Sequence, residues 1–176
     1  MDDYEKSVRD AIDRTRLAYE TFMSNSVLRS SVRNLSLDDT QWREIEHLLS
    51  YGDERWEQEI DVYELFAAIR AMLSFAHALV TEALPRMKTE IARPRAHISQ
   101  ENRVVLRMTV TSLQDNVKTL VERLRELYQV LVPYDEKHNG EPRAFHKQFR
   151  DLKESDTWDV ERRIEAAEEP EEQERY

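Results

Sequence analysis

Between Ser99 and Val132, Leu106, Val110, Leu113, Val117, Leu120, Leu124, Leu127 and Leu131 recur at alternating spacings of four and three, with no polar residue in the series. That alternation keeps one apolar stripe on one face of an α-helix. Ser99 is placed to cap the helix, and Pro133 is expected to close it, because proline pushes the residue before it out of helical geometry. Val62, Phe66, Ile69, Leu73, Ala76, Val80, Ala83 and Met87 repeat the pattern. They predict a second long helix, capped by Asp53, kinked at Pro85 and ending by Ile91. From Leu65 to Val80 it is apolar on nearly all sides, interrupted by Arg70, Ser74 and His77, which predicts burial on more than one side. The run reads as too short and too interrupted for a membrane span, which needs about 20 residues. A third series, Tyr4, Val8, Ala11, Thr15, Ala18 and Phe22, is widened by Ile12 and Tyr19 and dissolves in Ser24-Asn25-Ser26.

Shorter elements lie between and after these. Ser36-Leu37-Asp38-Asp39 resembles a capping box, opening a helix with Trp42, Ile45, Leu48 and Leu49 on its buried side. Gly52 is placed to end that helix in the left-handed region. Residues 92–98, with Pro94, read as the turn of an αα-hairpin. His138-Asn139-Gly140-Glu141-Pro142 reads as a loop. Ala144, Phe145, Gln148, Phe149 and Leu152 suggest a short helix, and Trp158 and Ile164 a weaker one. The glutamate-rich stretch from Ala166 is expected to be disordered. The fold expected is all-α: an elongated antiparallel helical bundle of three long helices plus two or three short ones. Residues 1–155 would form the domain and 156–176 a weak helix with an acidic tail.

Composition narrows the chemistry. With no cysteine, disulfides, thiolate catalysis and cysteine-ligated zinc are excluded, and two glycines leave no glycine-rich phosphate loop. The acidic start, Met1-Asp2-Asp3-Tyr4-Glu5, is unlike a signal peptide, so a cytoplasmic location is expected. A net charge of −10 argues against non-specific nucleic-acid binding by the whole surface. The charge is uneven, however. Residues 86–107 carry Arg86, Lys88, Arg93, Arg95, Arg103 and Arg107 against Glu90 and Glu101, a net +4, whereas residues 38–64 carry a net −8. A basic hairpin tip could bind an anion, a nucleic-acid backbone, an acidic partner or the acidic segment of a second copy. It lacks interleaved aromatic residues, so base stacking is not suggested. The plainer alternative is a solvated helix end whose arginines complement the helix dipole.

The leucine series has the spacing of a zipper. Its flanks, Arg107, Gln114, Val121 and Tyr128 on one side and Thr109, Asn116, Arg123 and Val130 on the other, offer no acid to the arginines. Val121, Tyr128 and Val130 widen the apolar face, which suits a bundle better than a two-stranded coil. Leu106 to Leu131 therefore form a core or an oligomer seam. The helix segment before them lacks the dense basic run of a DNA-binding zipper.

Arg70 and His77 are seven residues apart, on one stripe with Trp56 and Tyr63. A histidine could act as acid or base there while the arginine stabilises phosphate charge. The spacing resembles the Arg-x(4–6)-His motif of HEPN-domain ribonucleases, which are also small helical bundles. That resemblance implies Arg70 and His77 as a catalytic pair acting across a dimer interface. It covers those two residues, and Ala71 stands where that family usually carries a polar residue. The plainer alternative is a core-edge histidine with an arginine extending past it. Glu54, Glu57, Asp61 and Glu64 share a predicted helix face that could attract a divalent cation. Asp115, Glu122 and Glu126, on the helix after the turn, lie away from the core stripe. Glu44-x-x-His47 is the one Glu-x-x-His, where a di-iron bundle uses two. His47, His97, His138 and His146 show no ligand spacing, so neither a metal nor a cofactor is expected. The functional expectation is a non-enzymatic interaction protein, self-associating or docking a protein partner along apolar helix faces, with no membrane. The alternatives are a HEPN-like ribonuclease or nucleic-acid effector using Arg70 and His77, and a regulator binding nucleic acid through the tip at 86–107.

Overall fold

The computed structural model describes residues 2–53, 59–94, 97–139 and Ile164, and all regular structure among them is helical. In chain order the helices are α1 (Asp3–Ser24), α2 (Ser26–Ser30), α3 (Asp39–Asp53), α4 (Val62–Ala78), α5 (Leu84–Ile91) and α6 (Gln100–Asn139), with a π-helical segment, Leu79–Ala83, joining α4 to α5. Taken together, α4, the π segment and α5 make one 30-residue helix, Val62–Ile91. This helix, α1 and α6 are the three long members of the bundle.

Asp2 starts α1, its carboxylate accepting from the Glu5 N–H at 2.7 Å. Asn25 ends α1 and starts α2, its Oδ1 accepting from the N–H groups of Val27 and Leu28. The capping box of α3 is Asp38 with Gln41, not Ser36 with Asp39. The Asp38 N–H donates to Gln41 Oε1 at 2.9 Å, and the Gln41 N–H donates to Asp38 Oδ1 at 2.8 Å. Ser36 instead tethers the preceding turn to the π segment: its N–H and hydroxyl donate to Glu82 Oε1 at 3.0 and 2.9 Å.

Four expectations need correction. Asp53 does not open the long helix; it is the last residue of α3, and Asp61 caps α4 by accepting from the Glu64 N–H at 3.1 Å. The continuous apolar face begins only at Val62, directly after that cap. Gly52 is helical rather than left-handed. A Cβ there would run into the Arg16 guanidinium, so the glycine makes room for that side chain. Pro133 does not close α6, which continues through it to Asn139 and therefore includes His138 and Asn139 of the expected loop. Leu131 and Asp135 are buried on either side of the proline, and Lys137 and His138 meet the start of α1; this packing offsets the hydrogen bond that proline cannot donate. Finally, Val62–Ile91 is long and apolar enough to cross a membrane by length and composition, though 67% of its apolar 18-residue stretch is buried in the bundle. At Pro85 the expected distortion takes the form of the π segment: the Leu84 N–H reaches back five residues to the Leu79 carbonyl.

The registers are antiparallel. Along α1 and α6, Asp2 meets His138 at 2.9 Å, Arg14 meets Glu126 at 3.5 Å, and the buried Thr15 hydroxyl lies 3.3 Å from the Arg123 carbonyl. Phe66 of α4 meets Tyr128 of α6, and α3 runs back along α4 from Trp42 beside Phe75 to Tyr51 beside Asp61. The result is an up-down-up-down bundle. Phe75 is its aromatic centre, with the rings of Tyr19, Phe22 and Trp42 at 5.4, 5.7 and 5.9 Å. Val110, Leu113, Val117, Leu120, Leu124, Leu127 and Leu131 are buried within this single chain, and Leu106 is half-buried at the stripe's end. The expected helix at 144–152, Trp158 and the tail from Ala166 lie outside the described residues; Ile164 is fully buried.

Candidate interaction surface at the hairpin tip

The α5–α6 hairpin extends beyond the end of α1, and there the five-residue α2, in place of α1, packs beside α6. At 100° per residue, Val104 and Met108 point almost opposite to the core stripe of Leu106 and Val110, while Val105 turns towards α2. Val104, Val105 and Met108 are 45%, 51% and 66% exposed, and Val27 on α2 is 45% exposed. Between the two helices lies an open groove of about 210 Å³ lined by Asn25, Val27, Leu28, Val105, Met108, Thr109 and Ser112. Two of its polar groups bond within the chain: the Thr109 hydroxyl donates to the Val105 carbonyl at 2.8 Å, and the Asn25 side-chain carbonyl oxygen caps α2. Around the hairpin turn a second, shallower cavity of about 590 Å³ is lined by Glu90, His97, Ile98, Ser99, Asn102, Val105 and Leu106. Ser99 caps α6 there, accepting from the Asn102 N–H at 3.1 Å.

The basic residues of the tip do not converge on one anion site. Arg93 pairs with Glu90 at 2.8 Å. Arg103 donates to the Arg93 carbonyl at 2.8 Å, tying α6 to the end of α5, and Arg86 donates to the Glu82 carbonyl at 3.0 Å. Lys88 is half-buried and engaged, Arg107 is exposed, and Arg95 lies outside the described residues.

Arg70 is exposed and His77 half-buried on the outer face of α4. Two helical turns separate them, about 10 Å along the axis. Neither lines the two tip cavities. Tyr63 is exposed on the same stripe, while Trp56 lies outside the described residues. The carboxylate face at 54–64 is not one helical face, since residues 59–61 are not helical. Asp61 caps α4, Glu64 lies 3.8 Å from His47, and Glu54 and Glu57 are outside the described residues. No group of three or more potential metal ligands occurs among the described residues.

A polar cluster at the opposite end of the bundle is not legible in the sequence. Arg9 is buried with Glu5 at 3.0 Å, and Asp135 is wholly buried on α6. The Tyr51 hydroxyl accepts from the Asp61 N–H at 3.0 Å. Burial pushes the Tyr51 phenol up to about 12, against the opposing pull of that hydrogen bond, and burial also raises Tyr134. Asp2 is held below the usual carboxylate value first by the Glu5 N–H and then by the nearby charges of His138 and Lys137. The signal was hidden because Asp135 follows a proline that reads as a helix end.

No protein-family model matches the chain, and neither a curated protein nor a solved structure matches it. The HEPN resemblance thus stands on Arg70 and His77 alone.

Proposed function

We propose that this protein is a non-enzymatic helical interaction protein whose docking surface is the hairpin tip. One observation carries the reading: Val104, Val105, Met108 and Val27 stand in solvent beside an open apolar groove. The long stripes of α1, α4 and α6, by contrast, are occupied inside the chain. Clustered exposed aliphatic side chains of this kind mark interaction sites, whereas scattered ones do not.

The test is capture from native lysate with nuclease present, using native protein and Met108→Glu as baits. A defined protein retained by the first and lost by the second, at unchanged thermal stability, supports the reading. Capture indifferent to Met108→Glu, or dependent on nucleic acid, overturns it. The purified protein should also leave labelled RNA intact; cleavage abolished in His77→Ala would move the function to Arg70 and His77.

A further inference from the structure

We propose that α2 and the turn after it, residues 26–36, form a strap that opens and closes over α6 at the tip, latched by Ser36 on Glu82. Its bearing on docking rests on the reading above; the strap itself does not. Extending the α1–α6 register, with Asp2 on His138 and Arg14 on Glu126, brings Ser24 level with Asn116. Val105, Thr109 and Ser112 therefore lie past the end of α1, on the flank of α6 that shares the groove with α2. Thr109 is nevertheless 7% exposed, and Leu28, which lines the same groove from α2, is 1% exposed. Where α1 has ended, the strap shields this stretch of α6.

The strap is lightly held. It leaves α1 at Asn25, whose backbone is extended, and passes through Asn34 in the left-handed region at φ 64°. Asparagine takes that conformation at little cost, so both points are breaks in the helical path. The single turn of α2 is too short to be stable by itself. Among the described residues, the side-chain hydrogen bonds of Asn25, Ser30 and Ser31 all stay within the segment. Leu28 and Leu35 are its buried anchors and Val32 is half-buried, whereas Val27, Arg29, Ser30 and Arg33 stand in solvent. A segment with so few buried apolar contacts opens locally far more often than the core beside it. Its polar tie to the bundle is Ser36, whose N–H and hydroxyl both donate to the Glu82 carboxylate. Glu82 belongs to the π segment between α4 and α5, so the latch fastens the strap to the base of the hairpin. Opening uncovers Val105 and Thr109 and widens the apolar face that Val104 and Met108 begin.

Amide hydrogen exchange on the full chain tests the strap with no partner present. The N–H groups of Arg29, Ser31, Val32 and Leu35 are all hydrogen-bonded, so a rigid segment would protect them. After correction for intrinsic rates they should exchange about a hundredfold faster than the amides between Val110 and Leu124 on α6. Glu82→Ala removes the charged acceptor and should speed the strap about tenfold further, leaving α6 and the melting temperature unchanged. Ser36→Ala keeps the N–H donor and should give a smaller rise in the same direction. Because the chain has no cysteine, Thr109→Cys supplies a second readout. Its thiol should react with iodoacetamide at a rate that Glu82→Ala raises about tenfold, while the rate for Thr15→Cys, buried on α1, should not change. Equal protection of the strap and the α6 core, or a thiol rate for Thr109→Cys indifferent to Glu82→Ala, overturns the inference. Protection lost throughout the chain in both Glu82→Ala and Ser36→Ala makes the contact a general stability contact and overturns it too. If the strap opens as described but capture is indifferent to Met108→Glu, the strap stands and the docking reading fails.

Discussion

Tyr51 shows how a single polar atom links two elements. Its phenol oxygen takes the N–H of Asp61 just before α4, while its ring is buried in the core. Tyr51→Phe should cost about 1 kcal/mol, the worth of one hydrogen bond with its donor left behind, measured by urea unfolding. Burial also pushes the Tyr19 phenol up to about 12, helped by the charge of Glu46, as burial does for Tyr51. Both folded values lie above the ordinary tyrosine value of about 10. The neutral phenols therefore stabilise the fold fully below about pH 10, and this contribution is lost as pH rises through about 12. Tyr19→Phe should shallow the alkaline limb of stability against pH; an unchanged limb would remove the burial argument. Gly52 works differently. A side chain there would displace only the flexible end of Arg16, which is held by Asp13 and Glu20 at 3.3 Å each. Gly52→Ala should therefore shift stability by less than about 1 kcal/mol, because better helix propensity offsets weakened surface pairs. With Arg16→Ala added, it should become clearly stabilising.

Among the elements, α6 and the Val62–Ile91 helix depart from their sequence signals at prolines. Local rules assign proline a helix end or a kink. At Pro133 the apolar and polar contacts of the last turns of α6 with the start of α1 hold the helix together. Pro133→Ala restores a backbone donor and removes the clash with the preceding turn, so it should stabilise the protein by about 1–3 kcal/mol in thermal or urea unfolding. A destabilised variant would mean that the bend at Pro133 is needed for packing against α1. At Pro85 the π segment has a second consequence: it places Glu82 where Ser36 can reach it, fixing the turn that leads into α3. The helix existence and apolar faces were legible because their period is local. The start of α4 after Asp61 and the passage of α6 through Pro133 were not, because they depend on what each segment packs against.

For the whole molecule, burial of the α6 stripe inside one chain makes its leucines stability residues. Leu113→Ala should cost about 2–5 kcal/mol of unfolding free energy and leave the oligomeric state unchanged by light scattering. Dissociation with the helices intact would instead place Leu113 at a seam between copies. The six cations at 86–107 were legible as a charge excess, but their division of labour was not. Arg93 and Arg103 hold the hairpin turn, while Arg107 stands at the edge of the apolar patch. Val104 and Met108 belong to no long periodic series, so their exposure emerges only when α1 is seen to stop short of them.

The sequence by itself determined the all-helical class, the antiparallel α4–α6 hairpin and the apolar face of each long helix. These follow from a 3.6-residue period and from the breakers at the hairpin turn, both properties of neighbours along the chain. Only the tertiary structure decided that the zipper-like stripe is core, that α6 runs past Pro133, and that a cluster of exposed aliphatic side chains lies at the tip. Those outcomes depend on which helix covers which face and for how many turns, and contacts between residues a hundred positions apart leave no local pattern.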